Sequence, residues 1–167
     1  MSNPIWEAVE SRKSKTADDI FKALKNVPIF SDLNPREMNE IEKIIHRREY
    51  KKGEPIFRMG DPGLGMYIII KGLINIVEED VDGNTTTLAV LKDGAFFGDL
   101  ALLDEAPRSA SAIADDHCDI LGFFRPDFLD LLYRKPKLGI KILFSLSKII
   151  GERLRRTNEQ LAVLKKK

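Results

Sequence analysis

Four residues in the stretch FFGDLALLDEAPRSASAIA, residues 96–114, carry groups that can hold a small polar ligand. Gly98 has no side chain, so a ligand can approach its backbone closely. The carboxylate of Asp99 accepts hydrogen bonds, whereas the guanidinium of Arg108 and the hydroxyl of Ser109 can bind an anion. This set fits a ligand with a hydroxyl group at one end and an anionic group at the other.

Both charged residues of this set also have simpler interpretations. Asp99 could only cap the short helix that follows it, a role that aspartate fills well. Arg108 could form an ion pair with Asp104 or Glu105, although such a pair leaves the proline before it and the serine after it unexplained. Ligand binding is the interpretation that accounts for all four residues together.

The composition indicates a single folded domain with appendages. The chain has 167 residues and an ordinary apolar content of 43%, which suffices for one core. A formal net charge of +1 argues against a protein that binds nucleic acid over its whole surface. The one cysteine, Cys118, excludes an internal disulfide and fits a reducing compartment. Because no apolar run is long enough for a membrane span or a signal core, we expect a cytoplasmic protein.

Two helices are predicted before the site in the chain. Residues 1–15 have the irregular composition of an N-terminal arm. Thr16 can cap a helix whose apolar residues recur at helical spacing up to Val27, and Pro28 should end it. A second helix should begin within residues 31–35. Its apolar face would comprise Met38, Ile41, Ile44 and Ile45.

A long β region follows and should frame the site. Short β-rich runs bounded by turn residues predict strands within 54–57, 66–70, 74–77, 85–91, 109–113 and 119–124. Gly72, at the centre of MYIIIKGLINIVEED, predicts a tight turn between two paired strands, and Asp82-Gly83 predicts a hairpin. Many short strands with regular turn signals indicate a sandwich or barrel.

The last part of the chain is predicted to be helical. Pro126 opens a short helix, and Pro136 opens a long one that runs to about Leu164. A heptad seam in the long helix comprises Ile150, Leu154, Thr157, Leu161 and Leu164. Such a seam can pair with a second copy of the chain, or it can pack back on the protein's own sheet. Arginines and lysines make this end basic, and a basic end is most often solvated rather than bound to nucleic acid.

Three separated motifs resemble those of the cyclic nucleotide-binding domain family. GDPGLGMYIIIKG, residues 60–72, resembles the family's glycine-framed strand pair, and FFGDLALLDEAPRSASA resembles its phosphate-binding cassette. ERLRRTNEQL, residues 152–161, resembles the long helix that dimerises and reaches the base in the family's activators. The resemblance implies a mainly-β fold of the α+β type, a β jelly roll with N-terminal helices within residues 16–135. Residues 136–167 would then form a long C-terminal lid or dimerisation helix.

The resemblance also implies a role for each residue of the site. At the position of Gly98 the family's backbone approaches the ligand, and the acidic residue after it, here Asp99, accepts the ribose 2′-hydroxyl. The cyclic phosphate would meet the backbone N–H groups of a short helix, the guanidinium of Arg108 and the hydroxyl of Ser109. The remaining ligand-binding positions implied by the resemblance are Leu100 and Ala101 for those N–H groups, Thr157 and Asn158 at the base, and Ile76 and Leu88 flanking sugar and base.

The sequence departs from the family's pattern in two respects. The family has glutamate where this chain has Asp99, which is shorter by one carbon–carbon bond, about 1.5 Å. Losing a hydrogen bond to that carboxylate would weaken binding roughly tenfold to over a hundredfold, unless the backbone or a water closes the gap. The activators also carry a helix-turn-helix module after the long helix, and we expect no DNA-binding module in this chain.

We therefore expect a regulatory sensor domain, not an enzyme, that binds cyclic AMP or cyclic GMP and needs no other cofactor. It would switch an effector protein by moving its C-terminal helices. We also expect a homodimer that forms through the long helix, and we expect no membrane span. A degenerate domain that binds no nucleotide and serves as an interaction scaffold is the alternative. Haem, metal or nucleophilic chemistry is disfavoured because the chain has only two histidines, His46 and His117, which form no ligand-spaced pair, and one cysteine, Cys118. No serine or cysteine stands in a nucleophile-elbow context either.

Overall fold

The structure is a computed structural model that describes residues 17–165, so the predicted arm 1–15 and the capping residue Thr16 lie outside the described residues. The helices are α1 (17–25), α2 (Pro35–Glu42), α3 (Arg125–Arg134) and α4 (Pro136–Leu164), with 3-10 helices at Pro28–Phe30 and Asp99–Leu102. The strands are β1 (Ile45–Tyr50), β2 (Pro55–Phe57), β3 (Gly65–Lys71), β4 (Ile74–Glu79), β5 (Thr85–Leu91), β6 (Phe96–Phe97), β7 (Ser111–Ala114) and β8 (Cys118–Phe124).

The strands form two antiparallel sheets of four strands each. One sheet has the order β1-β8-β3-β6 and the other the order β2-β7-β4-β5. The expected β jelly roll with flanking helices is therefore confirmed. The Asp82-Gly83 hairpin is also as predicted, since β4 and β5 pair directly up to Glu79 and Thr85 on either side of it.

The turn at Gly72 does not join two paired strands, and that prediction was wrong. β3 and β4, on either side of it, belong to different sheets, so the chain crosses from one sheet to the other here. Gly72 has a φ of +117°, and a Cβ on it would lie 2.5 Å from the Sγ of Cys118. The glycine is required because the crossing passes directly over the start of β8.

The second helix is shorter than its apolar pattern predicted. Asn34 and Glu37 form a reciprocal capping box at its start, and the helix ends at Glu42. Ile44 lies beyond the helix, and Ile45 begins β1, a strand absent from the prediction. The residues of β1, IHRREY, are mostly exposed and charged, so the strand is stabilised by its pairing with β8 rather than by an apolar face of its own.

The main core lies between the helices and the first sheet. Phe30, Phe123 and Phe128 are fully buried there, and Phe123 meets the other two rings edge to face at centroid distances of 5.7 and 5.5 Å. The first half of α4 contributes Leu138, Ile142 and Leu146 to this core. Its second half has no such contact, because residues 152–165 are exposed. Over residues 17–165, no helix has both the length and the apolar character that crossing a bilayer requires.

Candidate functional site

The candidate site begins where β6 ends, at a left-handed glycine. Gly98 has φ +72° and precedes the 3-10 helix Asp99–Leu102. A Cβ on Gly98 would lie 2.7 Å from Nη1 of Arg108. Glycine is therefore needed both for the backbone conformation and for the close approach of the guanidinium. The close approach of a ligand to this glycine stays a prediction.

Arg108 is buried and is fixed by three contacts of its guanidinium. Nη1 donates to the carbonyl of Gly98 at 3.2 Å, and Nη2 donates to the carbonyl of Gly65 at 2.6 Å. The Cζ atom lies 4.1 Å from the centroid of the Phe57 ring. Burial lowers the pKa of Arg108 below its ordinary value, because desolvation disfavours the cation.

No carboxylate among residues 17–165 forms an ion pair with Arg108. Glu105 pairs with Arg125 at 2.8 Å, and Asp104 accepts a hydrogen bond from the N–H of Ala106 at 3.2 Å. The alternative of a local ion pair for Arg108 is therefore wrong. The Nε–H of Arg108 is also buried without a hydrogen-bond partner in the structure. A buried guanidinium in this state is suited to an anion from outside the chain.

Asp99 is buried, and its carboxylate is held by a residue of α4. Nη1 of Arg153 donates to both oxygens of Asp99, at 2.9 and 2.8 Å. The cap of the 3-10 helix is Gly98, and no side chain caps that helix. Asp99 is thus not merely a helix cap, and the long helix reaches the site through Arg153.

A cavity of about 430 Å³ brings most of the predicted site residues together. The predicted residues that line it are Ile76, Gly98, Asp99, Leu100, Ala101, Arg108 and Ser109. The N–H of Ala101 donates to the carbonyl of Gly98 at 3.2 Å, so it already has a partner within the chain. The volume lies in the range of cavities that enclose small organic ligands.

Three predicted site residues do not line this cavity. Leu88 is exposed on β5, and Thr157 and Asn158 are exposed on the second half of α4. The hydroxyl of Thr157 donates to the backbone carbonyl of Arg153 at 3.0 Å. Their contact with a ligand stays a prediction.

The cavity also contains residues that sequence reasoning missed. Arg153, Phe57 and Phe97 line it. Arg153 precedes Thr157 by one helical turn and so shares its face of α4, which is the signal that could have identified it. The two phenylalanines lie in short strands whose apolar residues could equally have been core.

A second, more open groove of about 690 Å³ lies between α2 and the start of α4. Its carboxylates are already paired: Glu37 with Lys141, and Glu40 with Lys135 and Lys43. Hydrogen bonds from Lys135 and Lys43 lower the pKa of Glu40 to about 2. The carboxylates of the groove are therefore neutralised by lysines, whereas the cavity contains a guanidinium, that of Arg108, without an ion-pair partner in residues 17–165. In residues 17–165, no group of three or more His, Cys, Asp or Glu side chains is arranged to hold a metal ion.

The model of one protein family matches the part of the chain that contains the cavity. The family is described as "Cyclic nucleotide-binding domain", and the match spans residues 47–135. The chain belongs to this family. The family resemblance is thereby confirmed, and the match contains the first two motifs, whereas the third, residues 152–161, lies beyond the matched residues.

Relatives of this cyclic nucleotide-binding domain include bacterial and eukaryotic regulators. A cyclic AMP receptor protein of Thermus thermophilus is 36% identical over 141 residues, which are 84% of this chain and 63% of the relative. A cAMP-dependent protein kinase regulatory subunit of Aspergillus fumigatus is 34% identical over 109 residues, 65% of this chain and 26% of the relative. This chain therefore spans less than two thirds of the length of these relatives.

Solved structures of related proteins have the same fold as this cyclic nucleotide-binding domain. The Thermus thermophilus catabolite activator protein superimposes with a TM-score of 0.73 at 35% identity, covering 83% of this chain and 63% of the other. The regulatory domain of Toxoplasma gondii PKA, solved with cAMP, superimposes with a TM-score of 0.64 at 26% identity, covering 70% of this chain and 44% of the other.

Proposed function

We propose that this domain is a regulatory sensor, not an enzyme, that binds a cyclic nucleotide in the 430 Å³ cavity. The observation that carries the proposal is the buried guanidinium of Arg108, which lines the cavity and pairs with no carboxylate of the described chain. A phosphodiester would supply acceptors for its free N–H groups. Guanidinium geometry suits two phosphate oxygens at once.

The ribose end of the ligand is assigned to Asp99. Its carboxylate lines the same cavity, and Arg153 occupies only one side of it through a single nitrogen. A ribose hydroxyl that donates to Asp99 would share this carboxylate with α4. Ligand binding and the position of the long helix would then depend on one another, which is what a switch requires.

The partner surface of the sensor is assigned to the second half of α4. The heptad residues Leu154, Leu161 and Leu164 are each about half or more exposed, at 59%, 48% and 67%. Exposed apolar residues at heptad spacing fit a homodimer through this helix. In such a dimer Thr157 and Asn158 remain the proposed contacts to the base, and Leu88 is proposed to flank the sugar and base. Cyclic AMP is preferred over cyclic GMP, because the threonine resembles the base-contacting residue of the activators. The sensor would act on an effector protein, and we place it in the cytoplasm.

A domain that has lost its ligand and serves as a scaffold is the second candidate. The observation in its favour is that Asp99, already one bond shorter than the family's glutamate, is engaged by Arg153. The two candidates differ in whether the cavity takes up a nucleotide.

Isothermal titration with cyclic AMP, cyclic GMP and 5′-AMP separates them. We expect binding of a cyclic form but not of 5′-AMP. Arg108→Ala should weaken binding about ten- to a hundredfold or more, the effect of hydrogen bonds to a charged group. Arg58→Ala is the matched control, because Arg58 is exposed and does not line the cavity. Equal binding by the parent and Arg108→Ala would contradict the site, and no binding of either cyclic nucleotide would favour the scaffold.

A further inference from the structure

Three aromatic rings pack together, and two of them lie close to the guanidinium of Arg108. The ring centroids of Phe57, Tyr67 and Phe97 are 5.5 to 5.9 Å apart. The Cζ atom of Arg108 lies 4.1 Å from the Phe57 centroid and 5.8 Å from that of Tyr67. Both distances are within the range of cation–π attraction, and the nearer ring is that of Phe57.

The contacts of the guanidinium come from both sheets. Its hydrogen-bond acceptors are the carbonyl of Gly65, at the start of β3, and that of Gly98, just after β6, so both belong to the first sheet or its connection. Phe57 lies on β2 in the second sheet, where it pairs with Ala112 of β7. The two carbonyls accept hydrogen bonds from the guanidinium, and the ring of Phe57 contacts it from the other sheet.

We propose that Phe57 is a positioning residue, which acts on the ligand through Arg108 by holding the guanidinium in its binding orientation. The expected effect on nucleotide affinity rests on the proposed function, whereas the ordering of the guanidinium by Phe57 does not require a ligand. An arginine side chain is rich in rotamers, and ordering it at the moment of binding weakens affinity. A ring that orders the arginine before the ligand arrives removes this entropic cost of binding. The cation–π attraction between ring and guanidinium is strongest where water is excluded.

The expected consequence is a specific need for an aromatic side chain at residue 57. Phe57→Leu keeps an apolar residue of similar size but removes the ring. It should raise the dissociation constant for cyclic AMP about three- to tenfold, the effect of ordering one long side chain on binding. Phe57→Tyr keeps the ring and should restore binding to within about twofold of the parent. Phe144→Leu is the matched control, because it removes a phenylalanine ring with a cation–π contact, to Lys148 at 4.8 Å, at a residue that does not line the cavity.

A measurement without nucleotide tests the positioning itself. The Nε–H of Arg108 is buried, so its exchange with water, followed by ¹⁵N NMR, should be slow in the parent. Arg108→Lys assigns the signal. We expect faster exchange in Phe57→Leu, and parent-like exchange in Phe57→Tyr and Phe144→Leu.

The two readouts separate failure of the inference from failure of the proposed function. Unchanged Nε–H exchange in Phe57→Leu overturns the inference whether or not nucleotide binds, since the ring would then not hold the guanidinium. Weaker binding with unchanged exchange shows that Phe57 touches the ligand directly, which also overturns it. If exchange responds as expected but no variant, including the parent, binds a cyclic nucleotide, the positioning stands and the proposed function falls.

Discussion

Arg153 of the long helix and Asp99 of the 3-10 helix form an ion pair at the edge of the cavity, with N–O distances of 2.9 and 2.8 Å. Asp99 is 3% exposed, whereas the side chain of Arg153 is about half exposed, so the arginine covers the carboxylate from the solvent side. The Cζ atom of Arg153 also lies 5.3 Å from the centroid of the Phe96 ring. These contacts attach an exposed part of α4 to the candidate site.

Removing Arg153 should destabilise the fold by leaving a buried carboxylate without its partner. For Arg153→Ala we expect a loss of about 1–2 kcal/mol in the free energy of unfolding, less than for a fully buried pair because the arginine is half exposed. Urea denaturation monitored by circular dichroism measures it. Arg156→Ala is the control, an exposed arginine of the same helix that should change stability by less than about 0.5 kcal/mol. Equal losses in the two variants would show that the ion pair contributes nothing.

Gly98→Ala should affect both stability and the site. The left-handed backbone costs an alanine about 1–2 kcal/mol, and the added Cβ would lie 2.7 Å from Nη1 of Arg108. Gly94→Ala is a matched control, because Gly94 has φ +80° but nothing within 4 Å of the added Cβ. Both variants should lose stability in denaturant unfolding, Gly98→Ala more than Gly94→Ala because the guanidinium of Arg108 must also move, and only Gly98→Ala should weaken nucleotide binding in calorimetry. Loss of binding in both, or in neither, would argue against the close approach as the cause.

The sequence predicted most of the strands because short β-rich runs are bounded by turn residues. It missed β1 because the run IHRREY is mostly charged and exposed and so lacks the apolar pattern of a strand. Only the pairing with β8 identifies this segment as a strand. It misassigned Gly72 because local sequence indicates a turn but cannot say whether the flanking strands pair or belong to different sheets.

Most of the predicted residues that line the cavity lie within one stretch of sequence, although Phe97 in that stretch was missed. Gly98, Asp99, Arg108 and Ser109 fall within one cassette, and the fold brings them to one cavity. Arg153 was missed because it lies 54 positions from Asp99, and only the packing of α4 brings the two together. The stack of Phe57 on Arg108 was missed for a related reason, since β2 reaches the guanidinium from the other sheet.

The junction of α2 with the start of α4 should weaken in acid. The lysines beside Glu40 lower the pKa of this carboxyl from its ordinary 4.5 to about 2 in the folded state. Because the pKa is lower in the folded state than in the unfolded state, the ionised Glu40 stabilises the fold at any pH above the unfolded-state pKa. This stabilisation is lost as the pH falls through the folded-state pKa. The difference in unfolding free energy between the parent and Glu40→Gln should therefore be full at about pH 6 and shrink between pH 4.5 and about 2. Urea titrations across this range measure it, and a difference independent of pH would contradict the role of the lysines.

The exposed heptad seam predicts self-association through the second half of α4. Leu161→Lys puts a charge into the seam and should shift sedimentation from dimer to monomer, because a helix interface does not tolerate an unpaired buried charge. Val163→Lys is the matched control: Val163 is 62% exposed on the same helix, but it lies off the seam. We expect it to sediment as the parent does. If the parent is a monomer with and without cyclic nucleotide, or if both variants dissociate alike, the seam is not the dimer interface, and the exposed leucines of α4 must serve contact with a different partner.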